Sequence, residues 1–442
     1  MTRLDEHPTV TAARQREHTA ETGPISATWL REISLAAGAD DVGFVSIERS
    51  DLDDQRASIL QAFPATRTLV SLIVQMNREP VRNVNRSAAN LEFHQTTDEV
   101  NEVARAIVRA CEDRGIRALN PSAGFPMEMQ NFPGKIWLVS HKPVAVAAGL
   151  GRMGVHRNVI HPQFGSFVIL GTVLLAADVD EESQPIDYNP CLTCKLCVAA
   201  CPVGAIKPDG RFDPSACLTH NYREFMGGFT DWVEQVAESG GAREYRRRVT
   251  DQETASMWQS LSFGANYKAA YCLAVCPAGE EVIGPFLADR AEFVSEMVRP
   301  LQQKEETIYV VPRSDAEEHV ARKFPHKRIK HVPGVRPASI RGFLDRMDIV
   351  FQAGQARGLD AVYHFKFTGA EPAEATVTIS DQMLRVERGL IGAADCTVIA
   401  DAATWLGFLR KEKSIVWAIL RRKVRVMGKR SLLKSFARCF PS

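Results

Sequence analysis

Four cysteines, spaced two, two and three residues apart and followed at once by a proline, constrain this chain more than any other feature. Cys191, Cys194, Cys197, Cys201 and Pro202 lie in the segment CLTCKLCVAACPVGAI. In a C-x2-C-x2-C-x3-C-P run, three thiolates hold one [4Fe–4S] cube and the fourth reaches a second cube. The two-residue gaps let three sulfurs converge, while the fourth points the other way. Pro202 ends the turn, because it has a fixed φ and no N–H to donate. Zinc takes four ligands and has no use for a third C-x2-C step plus C-P. A disulfide framework suits short secreted chains, not 442 residues with 10 cysteines. The run therefore predicts a segment built around iron–sulfur clusters that moves electrons.

Three further cysteines stand downstream: Cys217 in DPSACLTH, then Cys272 and Cys276 in YCLAVCPAGEE, with Pro277 after the last. Cys111, Cys396 and Cys439 are scattered and read as ordinary thiols. The ligand sets are expected to cross over. Cys191, Cys194, Cys197 and Cys276 take the first cube, and Cys201, Cys217 and Cys272 take the second. Two all-cysteine cubes need one more cysteine than these. The gap falls at Ala269, where a C-x2-C step would precede the final C-x3-C-P. Three outcomes stay open for the second site: a [3Fe–4S] cluster, a cube with a non-cysteine ligand, or an iron open to solvent or substrate. His220 is the nearest candidate for a non-cysteine ligand.

The remaining composition is ordinary: 45% hydrophobic, 24% charged, net charge +1. Nothing in it points to nucleic acid, and none is expected as a partner. No stretch reaches about 18 apolar residues, so no membrane-spanning helix is expected. The polar start, MTRLDEHPTVTAARQREHTAETGP, has no apolar leader segment and reads as a flexible tail over residues 1–24. A cytoplasmic setting, where clusters survive and thiols stay reduced, follows.

Residues 25–180 alternate helix and strand patterns. ATWLREISLAAGA has helical periodicity, VGFVSIE and TRTLVSLIVQM read as strands, and Asp98–Asp113 again repeats at helical spacing. An α/β domain is expected there. Residues 181–300 form the cluster domain, with a polar insertion, VAESGGAREYRRRVTDQET, between Cys217 and Cys272. Residues 301–336 read as a charged, proline-punctuated linker. Residues 337–442 open with an amphipathic helix and continue as short alternating strands, AVYHFKFTG, ATVTISD, MLRVERG and ADCTVIAD, with further helices: a small α+β domain.

The first two blocks, over about residues 28–290, resemble the superfamily of epoxyqueuosine reductases and reductive dehalogenases, the cobalamin-type iron–sulfur reductases. The resemblance rests on AGLGRMGVHRNVIHPQFGSFVILGTVLL and on its order: this segment, the cysteine run, the lone Cys217, then a final C-P. It implies a reductive dehalogenase-like fold and a corrinoid over the α/β domain, fed by a ferredoxin-like bis-cluster module. Gly149, Gly151 and Gly154 match the motif's glycines, and His156 follows them. Glycine there implies close backbone approach to a cofactor or a positive φ; a tight turn without ligand is the competing explanation. Arg152 and Val155 replace the family's tryptophan and lysine. The family's catalytic aspartate has no counterpart in SAGFPMEMQNFPGKIWLVSHKP, where Glu128 is the only carboxylate. His141, Lys142 and Lys135 are the other candidate proton donors.

The last block, from about Ala338 to Phe440, resembles the sterol carrier protein domain, through VYHFKFTG, TVTISDQMLRVERG, ADCTVIADAATWLGFLRKEK and VRVMGKRSLLKSF. That family implies an apolar tunnel for a hydrophobic or lipid molecule. Phe343, Ile349, Phe351 and Phe365 are candidates to line it, with ordinary core packing as the alternative. From Arg421 to Arg438 there are eight basic residues and no acidic one, suited either to an anionic membrane surface or to a plain solvated face. Three function classes follow. One is a cobalamin-type reductase removing oxygen or halogen from a hydrophobic substrate, with an electron donor such as ferredoxin or flavodoxin. Another is an electron-transfer protein without chemistry of its own, serving a lipid-acting partner. The third is a redox-sensing lipid carrier.

Overall fold

The computed structural model describes residues 4–15, 23–124, 138–191, 193–334, 336–429 and 431–441. The chain folds as two compact units. One comprises Met1–Val81, Leu91–Leu192 and Pro277–Gly284; the other comprises Arg82–Asn90, Thr193–Cys276 and Pro285–Ser442. The polar N-terminal stretch, expected to be a flexible tail, carries a helix at Pro8–Gln15, with Pro8 as its first residue.

The first unit is layered around a four-stranded sheet. Its strands β1 (Asp41–Ser46), β2 (Thr68–Gln75), β3 (Ala118–Leu119) and β4 (Val168–Leu175) lie in the order β1-β2-β4-β3, and every neighbouring pair is antiparallel. Side chains alternate across a strand, so β2 feeds two cores. Val70, Leu72 and Val74 pack with Phe44, Val173 and Leu30 of helix α1 (Ala27–Ala36), and with Val100, Val103 and Ile107 of α2 (Arg86–Asp113). Leu69 and Ile73 face the other way, onto Ile59, Leu174 and Val144 of α3 (His141–Ala147). Burial on both faces explains why β2 reads as an almost unbroken apolar run. Helix α2 begins 12 residues before the periodicity places it. Its first turns bury Arg86, Asn90, Glu92 and Thr96 rather than an apolar stripe.

In the second unit the cluster segment is made of short helices: α4 (Leu196–Ala200), α5 (Pro214–Asn221) and α6 (Tyr271–Ala274). Asp213 caps α5 by accepting the Ala216 N–H, and Pro214 fills its first turn. The polar insertion is helical, not irregular: Met226–Glu238, Ala242–Arg248 and Asp251–Phe263, the last opened by a Thr250/Glu253 capping box.

The segment expected as a linker over residues 301–336 is instead a folded β-α-β unit. Strand β5 (Thr307–Val310) pairs in parallel with β6 (Arg328–His331), joined by α7 (Asp315–Lys323). Ser314 caps α7 by accepting the Glu317 N–H, and Ile308, Val310, Val320 and Phe324 supply a small core. Three buried residues in β5, Ile308, Tyr309 and Val310, and one capped helix outweigh the charge and prolines that suggested a linker.

The C-terminal part holds a five-stranded sheet of β7 (Ala361–Thr368), β8 (Ala373–Ser380), β9 (Met383–Arg388), β10 (Cys396–Asp401) and β11 (Val424–Gly428). Their order is β9-β8-β7-β10-β11, with only β7 and β10 parallel. Tyr363, Phe365, Phe367, Val377 and Val398 point into one core with Phe343, Trp405 and Phe436 from the covering helices. The expected opening helix is shorter, broken into Ile340–Asp345 and Met347–Val350 where Arg346 leaves helical backbone geometry.

Candidate iron–sulfur centre

Two of the predicted cluster cysteines already sit in hydrogen bonds suited to a thiolate. The Cys191 sulfur accepts the Val155 N–H at 3.2 Å, and its own N–H donates to Asn189 Oδ1 at 3.1 Å. The Cys201 sulfur accepts the Ala205 N–H at 3.3 Å. Such N–H···S contacts stabilise negative charge on the sulfur and tune cluster potential. All ten cysteines are thiols outside any disulfide.

The gap at Ala269 has a structural counterpart. Lys195 lies between Cys194 and helix α4 with φ 54°, an unusual left-handed conformation for a side-chain-bearing residue. Ala270 lies between Ala269 and helix α6 with φ 52°. Each turn is followed two residues on by a cysteine, Cys197 or Cys272, and then by a C-P step. The chain thus keeps the turn of a C-x2-C site at residues 269–272 and lacks only the sulfur. Asn221 at the end of α5 fixes that turn, its Oδ1 accepting the N–H groups of Ala269 and Ala270 at 3.0 and 2.7 Å.

Cys217 on α5 and Cys272 on α6 both act on Tyr222. The Tyr222 hydroxyl is pushed well above its ordinary pKa, first by burial, then by Tyr267 and by these two thiols. Cys272 also faces Arg86, whose pKa is lowered by burial and held up by Tyr271, Cys272 and Glu306. His220, one turn after Cys217, is 1% exposed. Its Nδ1 accepts the Tyr309 N–H at 3.4 Å, its ring stacks on Tyr309, and its Nε2 has no partner. Burial first of all lowers its pKa to about 4.

Two residues of α7 reach the same unit's Cys201 loop and were missed by the sequence reading. A Cβ at Gly204 would lie 2.5 Å from His319 Nδ1, so glycine at 204 makes room for that ring. Burial first, then Lys323, lowers the His319 pKa to about 4. Lys323 feels the Cys201 thiol, second only to its own burial. The S-x-x-E step at Ser314–Glu317 was the available signal that a helix begins here.

Among the described residues no group of three or more His, Cys, Asp or Glu side chains is placed to hold a single metal ion. A cube distributes its thiolates over several irons rather than around one. The reduced thiols, the N–H donors to Cys191 and Cys201 and the doubled turn fit iron–sulfur clusters.

The residues expected to hold a corrinoid do not show that fit. Gly149 ends α3 in a Schellman motif: the Leu150 N–H bonds Ala145 O, the Gly149 N–H bonds Val146 O, and φ is 75°. A Cβ there would lie 2.5 Å from the Gln184 carbonyl oxygen, and one at Gly151 2.4 Å from that of Ile160. At Gly154 it would meet Ile160 and His156. The protein's own chain, not a cofactor cradle, occupies the space these glycines leave. His156 is buried, its Nδ1 accepts the Asn158 N–H at 3.2 Å, and its Nε2 is unpartnered. Burial, then Lys142, lowers its pKa to about 4.

The candidate proton donors are scattered in role. Glu128 and Lys135 lie outside the described residues. His141 is buried between Thr172 Oγ1 at 2.8 Å and the Ser122 carbonyl at 3.4 Å, and burial lowers its pKa to about 4. The carbonyl can only accept, so Nε2 carries the proton and Nδ1 accepts from Thr172. The ring thus links Thr172 to the Ser122 carbonyl. Lys142 Nζ donates to Arg157 O at 2.7 Å and Asn158 Oδ1 at 2.8 Å, holding the loop whose Val155 N–H meets Cys191.

In the C-terminal domain Phe343 and Phe365 are buried, whereas Ile349 and Phe351 are partly exposed. Rings of Phe343, Phe365, Phe367 and Trp405 lie 5.7–6.3 Å apart in the interior, with Trp405 Nε1 unpartnered.

Comparison with known proteins agrees with this division. Residues 185–207 match the 4Fe-4S binding domain family and residues 351–441 the SCP-2 sterol transfer family. Among curated relatives, an epoxyqueuosine reductase of Gloeobacter violaceus is 28% identical over 38% of this chain and 50% of its own length. One of Lactococcus garvieae is 39% identical over 17% of this chain and 21% of its own length. The chain thus spans half or less of the length of these relatives. The solved epoxyqueuosine reductase of Streptococcus thermophilus is 17% identical, with 62% of this chain and 75% of that chain covered and a TM-score of 0.35. Residues 185–207 thus carry a 4Fe-4S-type binding motif, and residues 351–441 form a sterol-carrier-like domain. Over part of its length the chain is similar to epoxyqueuosine reductases.

Proposed function

We propose that this chain is an iron–sulfur reductase that acts on a hydrophobic substrate presented by its C-terminal domain, removing oxygen or halogen reductively. The observation that carries this reading is the doubled cysteine turn at residues 194–197 and 269–272. Removing an oxygen takes two electrons and two protons and releases water; removing a halogen takes two electrons and one proton and releases halide. When bound, two clusters supply those electrons one at a time. Cys191, Cys194, Cys197 and Cys276 are the ligands assigned to the first cluster, and Cys201, Cys217 and Cys272 those assigned to the second.

The chain's own residues set the conditions for transfer. Val155 and Ala205 donate N–H groups to thiolate sulfurs, and the cations Arg86 and Lys323 act electrostatically on Cys272 and Cys201. Donors and cations favour the reduced, more negative state. Likeness to epoxyqueuosine reductases supports a corrinoid, but Gly149, Gly151 and Gly154 lend it nothing, and no step is assigned to it. In the C-terminal domain the aromatic interior and the Trp405 N–H suit an apolar molecule with one polar end.

Membrane contact for ligand pick-up is part of the proposal. No helix among the described residues is long and apolar enough to cross a membrane. Val416, Trp417 and Leu420 on the helix Ile415–Leu420 are nonetheless more than 60% exposed, next to Arg421, Arg422 and Lys423. A one-electron carrier serving a lipid-acting partner is the second reading, favoured by the structural role of His141. The test is anaerobic: reduce the purified chain with dithionite, add halogenated or epoxide-bearing hydrophobic compounds, and follow cluster reoxidation by EPR. Reoxidation with product formation supports the reductase; reoxidation only with an added partner supports the carrier.

A further inference from the structure

His220 was the sequence's nearest candidate for the eighth cluster ligand, and its tautomer decides that question. A neutral imidazole has one N–H and one lone pair. The Tyr309 backbone N–H can only donate, so the lone pair belongs to His220 Nδ1 and the proton to Nε2. An Nε2–H cannot bind iron. A ligating histidine shows the reverse pattern, its second nitrogen donating to a carbonyl, carboxylate or water.

That Nε2–H is nevertheless buried without a partner, on a side chain 1% exposed. A buried donor left unpaired costs roughly 1–3 kcal/mol, so such groups have acceptors. His220 lies one turn from Cys217 on α5, which puts the two on one face of the helix. Its neighbours bring in the other predicted ligand. Glu306 is its foremost electrostatic partner, and Arg86 interacts electrostatically with both Glu306 and Cys272.

We propose that His220 donates its Nε2–H to a sulfur of the second cluster and is not its eighth ligand, so that the iron at the Ala269 corner carries no histidine. The inference rests on the reading that Cys201, Cys217 and Cys272 bind a cluster. The retained turn at residues 269–272 fits it: the backbone still presents a ligand position, and Ala269 there is 4% exposed.

The test begins with anaerobically purified wild-type protein, whose iron and sulfide content establishes the second cluster; absence of that cluster overturns the underlying reading rather than the role of His220. Pulsed EPR of the reduced or paramagnetic second cluster then measures nitrogen coupling with histidine labelled by nitrogen-15. A weak coupling with an exchangeable proton is expected. The strong coupling of a directly bound imidazole overturns the inference without any variant. In His220→Leu the iron content is expected to stay constant. The second cluster becomes about tenfold harder to reduce at fixed ambient potential, about 59 mV lower for one electron. Loss of the second cluster's iron in His220→Leu with the fold intact by circular dichroism, or an unchanged potential, overturns it as well.

Discussion

Replacing Gly149 by alanine separates a structural glycine from one that faces a cofactor. Gly149 holds φ 75° at the end of α3, where it and Leu150 return hydrogen bonds to Val146 and Ala145. A left-handed conformation costs a residue with a Cβ roughly 1–2 kcal/mol. The new Cβ would also sit 2.5 Å from the Gln184 carbonyl, backbone that cannot swing away as a flexible side chain can. The two effects together predict a loss of about 2 kcal/mol or more in local stability, a factor of about 30 in the opening equilibrium. Hydrogen exchange with mass spectrometry on peptides spanning residues 141–160 reads that factor, with and without added hydroxocobalamin. Exchange at least tenfold faster in Gly149→Ala under both conditions is the expected result. Unchanged exchange, together with lost corrinoid binding, would refute the reasoning and return Gly149 to the cofactor.

Ala269→Cys restores the missing sulfur on a turn that already has the required backbone, so it is expected to raise bound iron or convert a [3Fe–4S] signal to a [4Fe–4S] one; an unchanged Mössbauer spectrum contradicts the assignment of that position. The folded-state pKa of His141 is about 4, below its ordinary 6.5, because of burial. The unfolded chain therefore takes a proton below pH 6.5 that the folded one refuses until about pH 4. Stability is intact above 6.5 and falls through that window, by at most ~3 kcal/mol for this group. Urea unfolding at pH 7 and pH 5 should show a shallower pH dependence in His141→Gln than in wild type; equal slopes reject the assignment. Trp417→Glu and Arg421→Glu are each expected to weaken co-sedimentation with vesicles containing anionic lipid, since each surface cation contributes about 1 kcal/mol near such a membrane. Binding that both variants retain removes this face from membrane contact.

The sequence revealed what local chemistry specifies. The spacing around Cys191–Cys201 marks the clusters because ligand geometry depends on short chain separations. The strands at Thr68–Gln75 and Ala361–Thr368 announce themselves through apolar content and alternation. What stayed hidden depends on contacts between distant residues. Gly149 and Gly151 matched a cofactor motif, yet the atoms filling their space, Gln184 O and Ile160 O, are set by tertiary packing. The His220 tautomer depends on Tyr309, 89 residues away. His319 and Lys323 lay in a segment whose charge and prolines disguised a β-α-β unit. Helix α2 was shortened because its buried first turns use Arg86, Asn90, Glu92 and Thr96 instead of apolar residues.

The cysteine pattern assigns this chain a pair of clusters, the second lacking one cysteine at Ala269. Iron and acid-labile sulfide per chain, measured with Mössbauer spectroscopy on the same anaerobically purified wild-type sample, test it most directly. About seven or eight irons and about eight sulfides are expected, with one iron site absent or spectroscopically distinct from the rest. About four irons in a single uniform cluster, or zinc in place of iron, would contradict it.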